Sequence, residues 1–139
     1  MPTVQKSLRL SDTVVHEINE LARNANKDFT AITNELLEEA IRAHHCPGII
    51  FSEGVRGRRA RIAGAGIEVW EVVAAYKSVE QRFKRLRQAY HWLSEQQLRA
   101  ALGYYELYQE EVDRIIAEND ALTPESVRKQ YPFLSAGKP

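Results

Sequence analysis

The first ten residues alternate between apolar and polar side chains. The apolar side chains fall on even positions, with Lys6 as the exception: Val4, Leu8 and Leu10. The odd positions are polar: Thr3, Gln5, Ser7 and Arg9. Successive side chains of a β-strand point to opposite faces, so this period of two predicts a strand with one apolar and one polar face.

Two stretches with helical spacing follow. Ser11 is the predicted N-cap of a helix over residues 12–25, with Asp12 in its first turn. The apolar stripe of this helix is Val14, Val15, Ile18, Leu21, Ala22 and Ala25. Thr30 is the predicted cap of a second helix, which ends at residues 44–48. Its apolar stripe is Ile32, Leu36, Leu37, Ala40 and Ile41.

One strand and two helices cannot enclose a core within ~45 residues. The strand has two unpaired edges, and each helix has only one apolar stripe. We therefore expect a homodimer, or a higher even oligomer, in which two strands pair antiparallel across a two-fold axis above four helices.

This stretch resembles the ribbon-helix-helix family of bacterial DNA-binding proteins. The resemblance rests on residues 6–11, on the spacing of the helix that follows, and on residues 30–41. It implies that the polar strand face enters the major groove, with Gln5, Ser7 and Arg9 facing base edges. It also implies that the amides of Thr30 and Ala31 bind a phosphate. A dimerisation arm without an operator is the open alternative, because the segment has few basic residues.

The middle of the chain predicts a hairpin and then three helices. Glycines interrupt an apolar and arginine-rich stretch, which indicates a short hairpin or extended arm over residues 49–64. Apolar spacing then predicts helices over residues 67–76, 79–90 and 94–119, the last two capped by Ser78 and Ser94. Unbroken, the last helix would be roughly 39 Å long at 1.5 Å per residue, so its far end should pack on a partner.

This second half resembles a small bacterial antitoxin-like family, domain of unknown function 433. The resemblance rests on residues 59–70, 90–94 and 100–104, although Gly64-Ala65-Gly66 stands where the family has Gly-Thr-Arg and Tyr90-His91 where it has Tyr-Pro. It implies a helix-turn-helix-like bundle, encoded beside a PIN-like ribonuclease. DNA contact would then come from the third helix, near whose start lie Gln96, Gln97 and Arg99. Binding to protein alone is the alternative.

The formal net charge is zero, but the charge is unevenly distributed. Residues 50–92 carry nine basic and four acidic residues, whereas residues 1–49 carry five and seven and residues 93–139 carry five and eight. The dense basic set is Arg56, Arg58, Arg59, Arg61, Arg82, Lys84, Arg85 and Arg87. Such a set indicates contact with DNA phosphates or with the acidic metal site of a nuclease toxin. A solvated surface is the alternative interpretation.

Composition narrows the class of protein further. One cysteine, Cys46, excludes a disulfide framework and a cysteine-based zinc cage. No apolar run approaches the roughly 18 residues of a membrane span, and no signal peptide opens the chain, so we expect a cytoplasmic protein. No Ser-His-Asp, Cys-His or phosphate-loop arrangement is evident, so we expect no enzyme, no cofactor and no bound metal.

The sequence thus predicts a mostly α-helical chain in three parts. Residues 1–46 form a dimeric ribbon-helix-helix domain, and residues 47–120 form a hairpin and a three-helix bundle with a long last helix. In the tail, residues 121–139, we expect Tyr131, Phe133 and Leu134 to fold on a toxin or pack back on the bundle.

The expected function is that of an antitoxin from a type II toxin–antitoxin system. It would bind operator DNA as a dimer, repress its own promoter and neutralise a PIN-like ribonuclease. The first alternative is a stand-alone transcriptional repressor whose second domain only oligomerises. An RNA-processing or nucleotide-binding enzyme that uses the arginine cluster is the alternative from another class.

Overall fold

Six helices and one antiparallel hairpin make up the regular structure of the described residues. The computed structural model describes residues 2–54 and 56–122, together with Glu125 and Lys129. The predicted tail contacts Tyr131, Phe133 and Leu134 lie outside the described residues. The chain divides into an N-terminal unit, Met1–His45, and a C-terminal unit, Cys46–Pro139.

The N-terminal unit is a pair of helices, α1 (Asp12–Ala25) and α2 (Phe29–His45). Ser11 caps α1 as predicted, because its Oγ accepts the N–H of Val14 at 3.2 Å. Asn26 ends α1 in the left-handed conformation (φ 54°), in which asparagine is better tolerated than most residues. The predicted Thr30 cap of α2 is wrong. Asp28 accepts the N–H of Ala31 at 2.7 Å, and Thr30 is already helical.

Among the described residues of the N-terminal unit, three are buried: Ile18, Ala22 and Ile32, with Phe29 packed against them. Residues 2–11 form neither a helix nor a hydrogen-bonded strand, and all of them are exposed. A strand is defined by its hydrogen bonds to a neighbouring strand, and the described part of this unit offers none. The predicted strand over residues 3–10 therefore stays a prediction about an assembly of two chains.

The predicted hairpin is present in the C-terminal unit. Strands β1 (Ile49–Gly54) and β2 (Gly57–Ile62) pair antiparallel, with Ile49 opposite Ile62. Both isoleucines are buried in the core. Because side chains alternate along a strand, Arg59 and Arg61 lie on the opposite face of β2 from Ile62.

A glycine turn leads from the hairpin into α3 (Val69–Ser78). Gly64 and Gly66 both have positive φ (78° and 71°), a conformation that costs glycine little. The turn lets Ile62 donate to the carbonyl of Ile67 and places Glu68 in a β-bridge with Arg61. The bridge fixes Glu68, the residue that precedes α3, beside the hairpin.

Helix α3 forms the centre of the C-terminal core and contacts β2, α4, α5 and α6. The fully buried side chains around it come from all of these elements: Ile62, Val69, Val72, Val73, Leu86, Leu98, Tyr104 and Val112. Full burial of one such aliphatic side chain stabilises the fold by about 1.5–3 kcal/mol.

Helix α4 (Phe83–Ala89) is shorter than the predicted helix over 79–90. Ser78 does not cap it. Ser78 is instead the last residue of α3, and its Oγ donates to the carbonyl of Ala75 at 2.7 Å. Between the two helices Glu80 and Gln81 both have φ 58°, a left-handed conformation that cannot continue a right-handed helix.

The predicted long last helix is wrong. The chain forms two helices, α5 (Glu95–Leu107) and α6 (Gln109–Asp120), with Tyr108 between them at φ −128° and ψ 45°. The break turns α6 back onto α3, where Val112 is buried. A straight helix would leave that apolar stripe in water, so packing overrides helical propensity here.

Within the described residues no helix is both long and apolar enough to cross a lipid bilayer.

Candidate nucleic-acid interface and hairpin cleft

The three predicted base-reading residues are accessible in the N-terminal unit. Gln5, Ser7 and Arg9 are exposed, and they form no hydrogen bond or ion pair within the part of the chain that the structure describes. Their polar groups are therefore free to bind an external partner. A glutamine amide and an arginine guanidinium match the paired hydrogen-bonding groups of adenine and guanine edges.

The predicted phosphate site at the start of α2 is partly occupied by the chain itself. The N–H of Ala31 already donates to the Asp28 carboxylate at 2.7 Å. A phosphate that used this amide would have to displace Asp28 and would also meet its negative charge. Thr30, whose side chain is exposed, retains access to a phosphate.

The structure separates the basic residues of the middle segment into two sets. The first set, the α4 basic surface, consists of Arg82, Lys84, Arg85 and Arg87, all of them exposed. Arg82 lies 3.6 Å from Glu80, whereas the other three have no ion partner among the described residues. An exposed cation without a partner is available to an acidic surface or a phosphate backbone.

Residues 90–94 join α4 and α5. Ser94 caps α5 as predicted, in a reciprocal capping box with Gln97. Arg99 is paired with Glu95 at 2.9 Å and stacks on the Phe83 ring at 4.4 Å. Of the predicted contacts Gln96, Gln97 and Arg99, two are thus already engaged, and Gln96 alone is both exposed and without an internal partner among the described residues.

The turn between α4 and α5 presents aromatic rings that the sequence argument did not single out. Trp92 is 59% exposed and lies 5.3 Å from both the Tyr90 and the His91 rings, measured between centroids. Burial raises the pKa of Tyr90, and the nearby charge of Glu71 adds to the rise. A large exposed ring beside a basic helix was detectable in the sequence as a tryptophan in a predicted turn.

The second basic set lines a cleft in the C-terminal unit, the hairpin cleft, of about 240 Å³. Its walls come from the hairpin, the start of α3 and the end of α6. The lining residues are Gly54, Arg56, Arg59, Arg61, Glu68, Trp70, Ile115, Glu118, Asn119 and Leu122. Arg58, which the sequence groups with them, is instead held by the carbonyl of Phe51 at 3.1 Å and does not line the cleft.

Local contacts fix the walls of the hairpin cleft. Arg61 donates from Nη1 to the carbonyl of Gly66 at 2.9 Å, and its buried Nε has no hydrogen-bond partner. Trp70 donates from its indole nitrogen to the Glu68 carboxylate at 2.9 Å. Arg56 and Arg59 have no ion partner within the described residues. Of the three guanidinium groups in the cleft, that of Arg61 is hydrogen-bonded, whereas those of Arg56 and Arg59 have no partner among the described residues.

Other polar clusters are structural. Asp113 on α6 accepts hydrogen bonds from Lys77 and Tyr105, both at 2.8 Å, and so ties α6 to α3 and α5. The hydrogen bond from Lys77 holds the pKa of Asp113 below its ordinary value and raises the pKa of Lys77. Among the described residues no three His, Cys, Asp or Glu side chains lie close enough together to hold a metal ion.

Part of the chain is similar to a known protein family. No curated protein and no solved structure matches the chain. Residues 49–105, which run from β1 into α5, match the family described as "Protein of unknown function (DUF433)". This region contains the hairpin, α3, the α4 basic surface and most of α5, and it is the part of the chain that is similar to that family.

Proposed function

We propose that the chain is an antitoxin that binds operator DNA as a homodimer through its N-terminal unit and neutralises a PIN-like ribonuclease through its C-terminal unit. The observation that supports the first half of this proposal is the incomplete core of the N-terminal unit. Eight large apolar side chains are exposed in its described part: Val4, Leu8, Leu10, Val14, Leu21, Leu36, Leu37 and Ile41.

A second copy is the occupant that fits this apolar surface best. It would cover the helix stripes and would also supply the hydrogen-bonding partner that residues 3–10 lack. Pairing two such segments antiparallel places all apolar side chains on one face of a ribbon and Gln5, Ser7 and Arg9 on the other. A two-fold dimer would thus present its polar residues to two half-sites of an operator.

The DNA half is tested by comparing Arg9→Ala with Arg23→Ala. Both variants lose one exposed arginine of the N-terminal unit, but Arg23 lies on α1 in an ion pair with Glu20. In a gel-shift assay with upstream DNA at physiological salt, we expect Arg9→Ala to weaken binding by about 1–3 kcal/mol, which is about five- to 150-fold. Equal affinities of the two variants would refute base reading by the strand.

The antitoxin half is supported by the unpaired cations of the α4 basic surface. Nucleases that depend on metal ions gather carboxylates around those ions, so a basic helix is complementary to their active sites. Steric occlusion of the metal site would then inhibit the enzyme without any chemistry by the antitoxin.

This half is tested by co-expression with the product of the adjacent gene. We expect a complex in which the nuclease is inactive, and we expect Arg85→Glu to restore nuclease activity. Arg114→Glu, on α6, is the matched control because Arg114 is also exposed. If no nuclease co-purifies, and operator binding survives, the stand-alone repressor is the correct function.

A further inference from the structure

We propose that the hairpin cleft binds one nucleotide unit, with its phosphate on the arginines of β2 and of the hairpin turn and its base against Trp70. This site is separate from the two surfaces of the proposed function. The ribbon lies in the N-terminal unit, and the α4 basic surface contributes none of the residues that line the cleft.

The unmet hydrogen-bonding capacity of the arginines indicates an anionic ligand. Arg56 and Arg59 have no ion partner within the described residues, and the buried Nε of Arg61 has no acceptor. A phosphate in the cleft would supply the acceptors that the exposed Arg56 and the half-buried Arg59 lack. Guanidinium groups match phosphate oxygens in geometry as well as in charge, because they can donate two parallel hydrogen bonds.

The carboxylates of the cleft do not cancel these arginines. Glu68 is engaged by the indole of Trp70 at 2.9 Å, and Glu118 lies 3.9 Å from Arg114 on the same helix. Three arginines and two glutamates leave the lining with a net positive charge. A dianionic phosphate is therefore favoured over a neutral ligand.

The remaining walls favour a ring attached to that phosphate. Trp70 offers an aromatic surface for stacking, and its orientation is fixed by the hydrogen bond to Glu68. Asn119 supplies an amide that can both donate to and accept from a base edge. At about 240 Å³ the cleft is smaller than a typical cofactor site, so it suits one nucleotide rather than a dinucleotide.

Binding can be measured on the full-length protein with 5′-AMP, adenosine and inorganic phosphate as probes. A Trp92→Phe background leaves Trp70 as the sole tryptophan and hence as a fluorescence reporter within the cleft. Isothermal titration of the parent protein gives the affinity independently. We expect 5′-AMP to bind more tightly than adenosine or phosphate, because only AMP uses the arginines and the ring surface together.

Two variants locate the site. Arg59→Gln removes a cleft arginine, and Arg87→Gln removes an exposed arginine of the α4 basic surface. We expect Arg59→Gln to weaken AMP binding about ten- to a hundredfold, as is typical when a hydrogen bond to a charged group is lost. We expect Arg87→Gln to leave the affinity for AMP within about twofold of the parent. Arg56→Gln, at an exposed position in the hairpin turn, gives the same test if Arg59→Gln does not fold.

A short single-stranded oligonucleotide distinguishes the two sources of this chemistry. Tighter binding of the oligonucleotide than of AMP, lost in Arg59→Gln, identifies a nucleotide within a strand as the ligand. Equal or weaker binding identifies a free nucleotide. The proposal is overturned if neither probe binds at millimolar concentration, or if Arg59→Gln and Arg87→Gln weaken binding equally. No operator or toxin is present, so these outcomes are independent of the proposed function.

Discussion

The most informative perturbation of the N-terminal unit is Leu37→Ala on α2. Leu37 is 53% exposed in the single chain, whereas the proposed dimer would bury it. Leu107→Ala on α5 is the matched control, because Leu107 is 59% exposed and lies in the other unit. Both changes remove the same side-chain atoms from a helix, so intrinsic helix propensity largely cancels in the comparison.

The size of the effect follows from the exposed fraction. Full burial of a leucine is worth about 1.5–3 kcal/mol, so the exposed half of Leu37 contributes about 1 kcal/mol per subunit when a second copy covers it. Two-fold symmetry doubles this to about 2 kcal/mol per dimer, which raises the dissociation constant about thirtyfold. Leu107→Ala should leave the dissociation constant unchanged.

Sedimentation equilibrium over a range of protein concentrations measures these dissociation constants directly. Thermal unfolding adds a second criterion, because a dimer melts at a higher temperature as its concentration rises. We expect both variants to melt at higher temperature as concentration rises, and Leu37→Ala to melt at lower temperature than Leu107→Ala at concentrations where both are dimeric. Equal dissociation constants of the two variants, together with a melting temperature that does not depend on concentration, would refute the burial of Leu37 in a dimer.

Three further predictions concern the C-terminal unit. Gln81→Gly should preserve or raise the free energy of unfolding, because Gln81 has φ 58°. Gln88→Gly, inside α4, should lower the free energy of unfolding in urea by about 1 kcal/mol. If Gln81→Gly were the more destabilising variant, the left-handed turn would be contradicted. Ser94→Ala should cost about 1 kcal/mol in the same assay through the lost cap, and an unchanged midpoint would contradict it. Asp113→Asn should lower the free energy of unfolding by less than about 1 kcal/mol at pH 7. Because Lys77 lowers the pKa of Asp113, the stability difference between this variant and the parent should vanish as the pH falls below the ordinary value of 3.8. A stability difference that persists there would exclude the ion pair as its cause.

Local sequence signals predicted the elements that depend on local chemistry. The helix over residues 12–25 and its Ser11 cap are confirmed, because a hydroxyl before an apolar stripe satisfies an otherwise free helical N–H. The same holds for Ser94 and α5. The hairpin was predictable from its glycines, because two neighbouring strands need a turn that other residues adopt poorly.

Helix ends that depend on tertiary packing were not predictable. The apolar stripe continues through Tyr108, since α5 and α6 both bury their stripes, and no glycine or proline marks the break. Ser78 was a plausible cap, but Glu80 and Gln81 adopt a conformation that the sequence does not require. Asp28 and Thr30 are both good caps, and only the geometry of the turn after Asn26 favours Asp28.

The hairpin cleft could be predicted only in part. Alternation along a strand places Arg59 and Arg61 on one face and Arg58 on the other, so this division of the arginines is implied by the sequence. Trp70 and Asn119, by contrast, lie far apart in the sequence. They reach the cleft because α6 folds back on α3, a consequence of the same break that the sequence does not show.

Cysteine crosslinking tests whether residues 3–10 of two chains pair as an antiparallel ribbon. In such a ribbon one position near Ser7 faces its own copy across the two-fold axis, at a distance that a disulfide can span. Single cysteines at Lys6, Ser7 and Leu8 can be introduced in a Cys46→Ser background, with Ser52→Cys on β1 as the control.

Mild oxidation of dilute protein, followed by non-reducing electrophoresis, measures the yield of crosslinked dimer. We expect one of the three positions to crosslink nearly completely, its neighbours to crosslink less, and Ser52→Cys to remain monomeric. Yields at all three positions no higher than that of Ser52→Cys would contradict the ribbon, and with it the arrangement that brings Gln5, Ser7 and Arg9 to the operator.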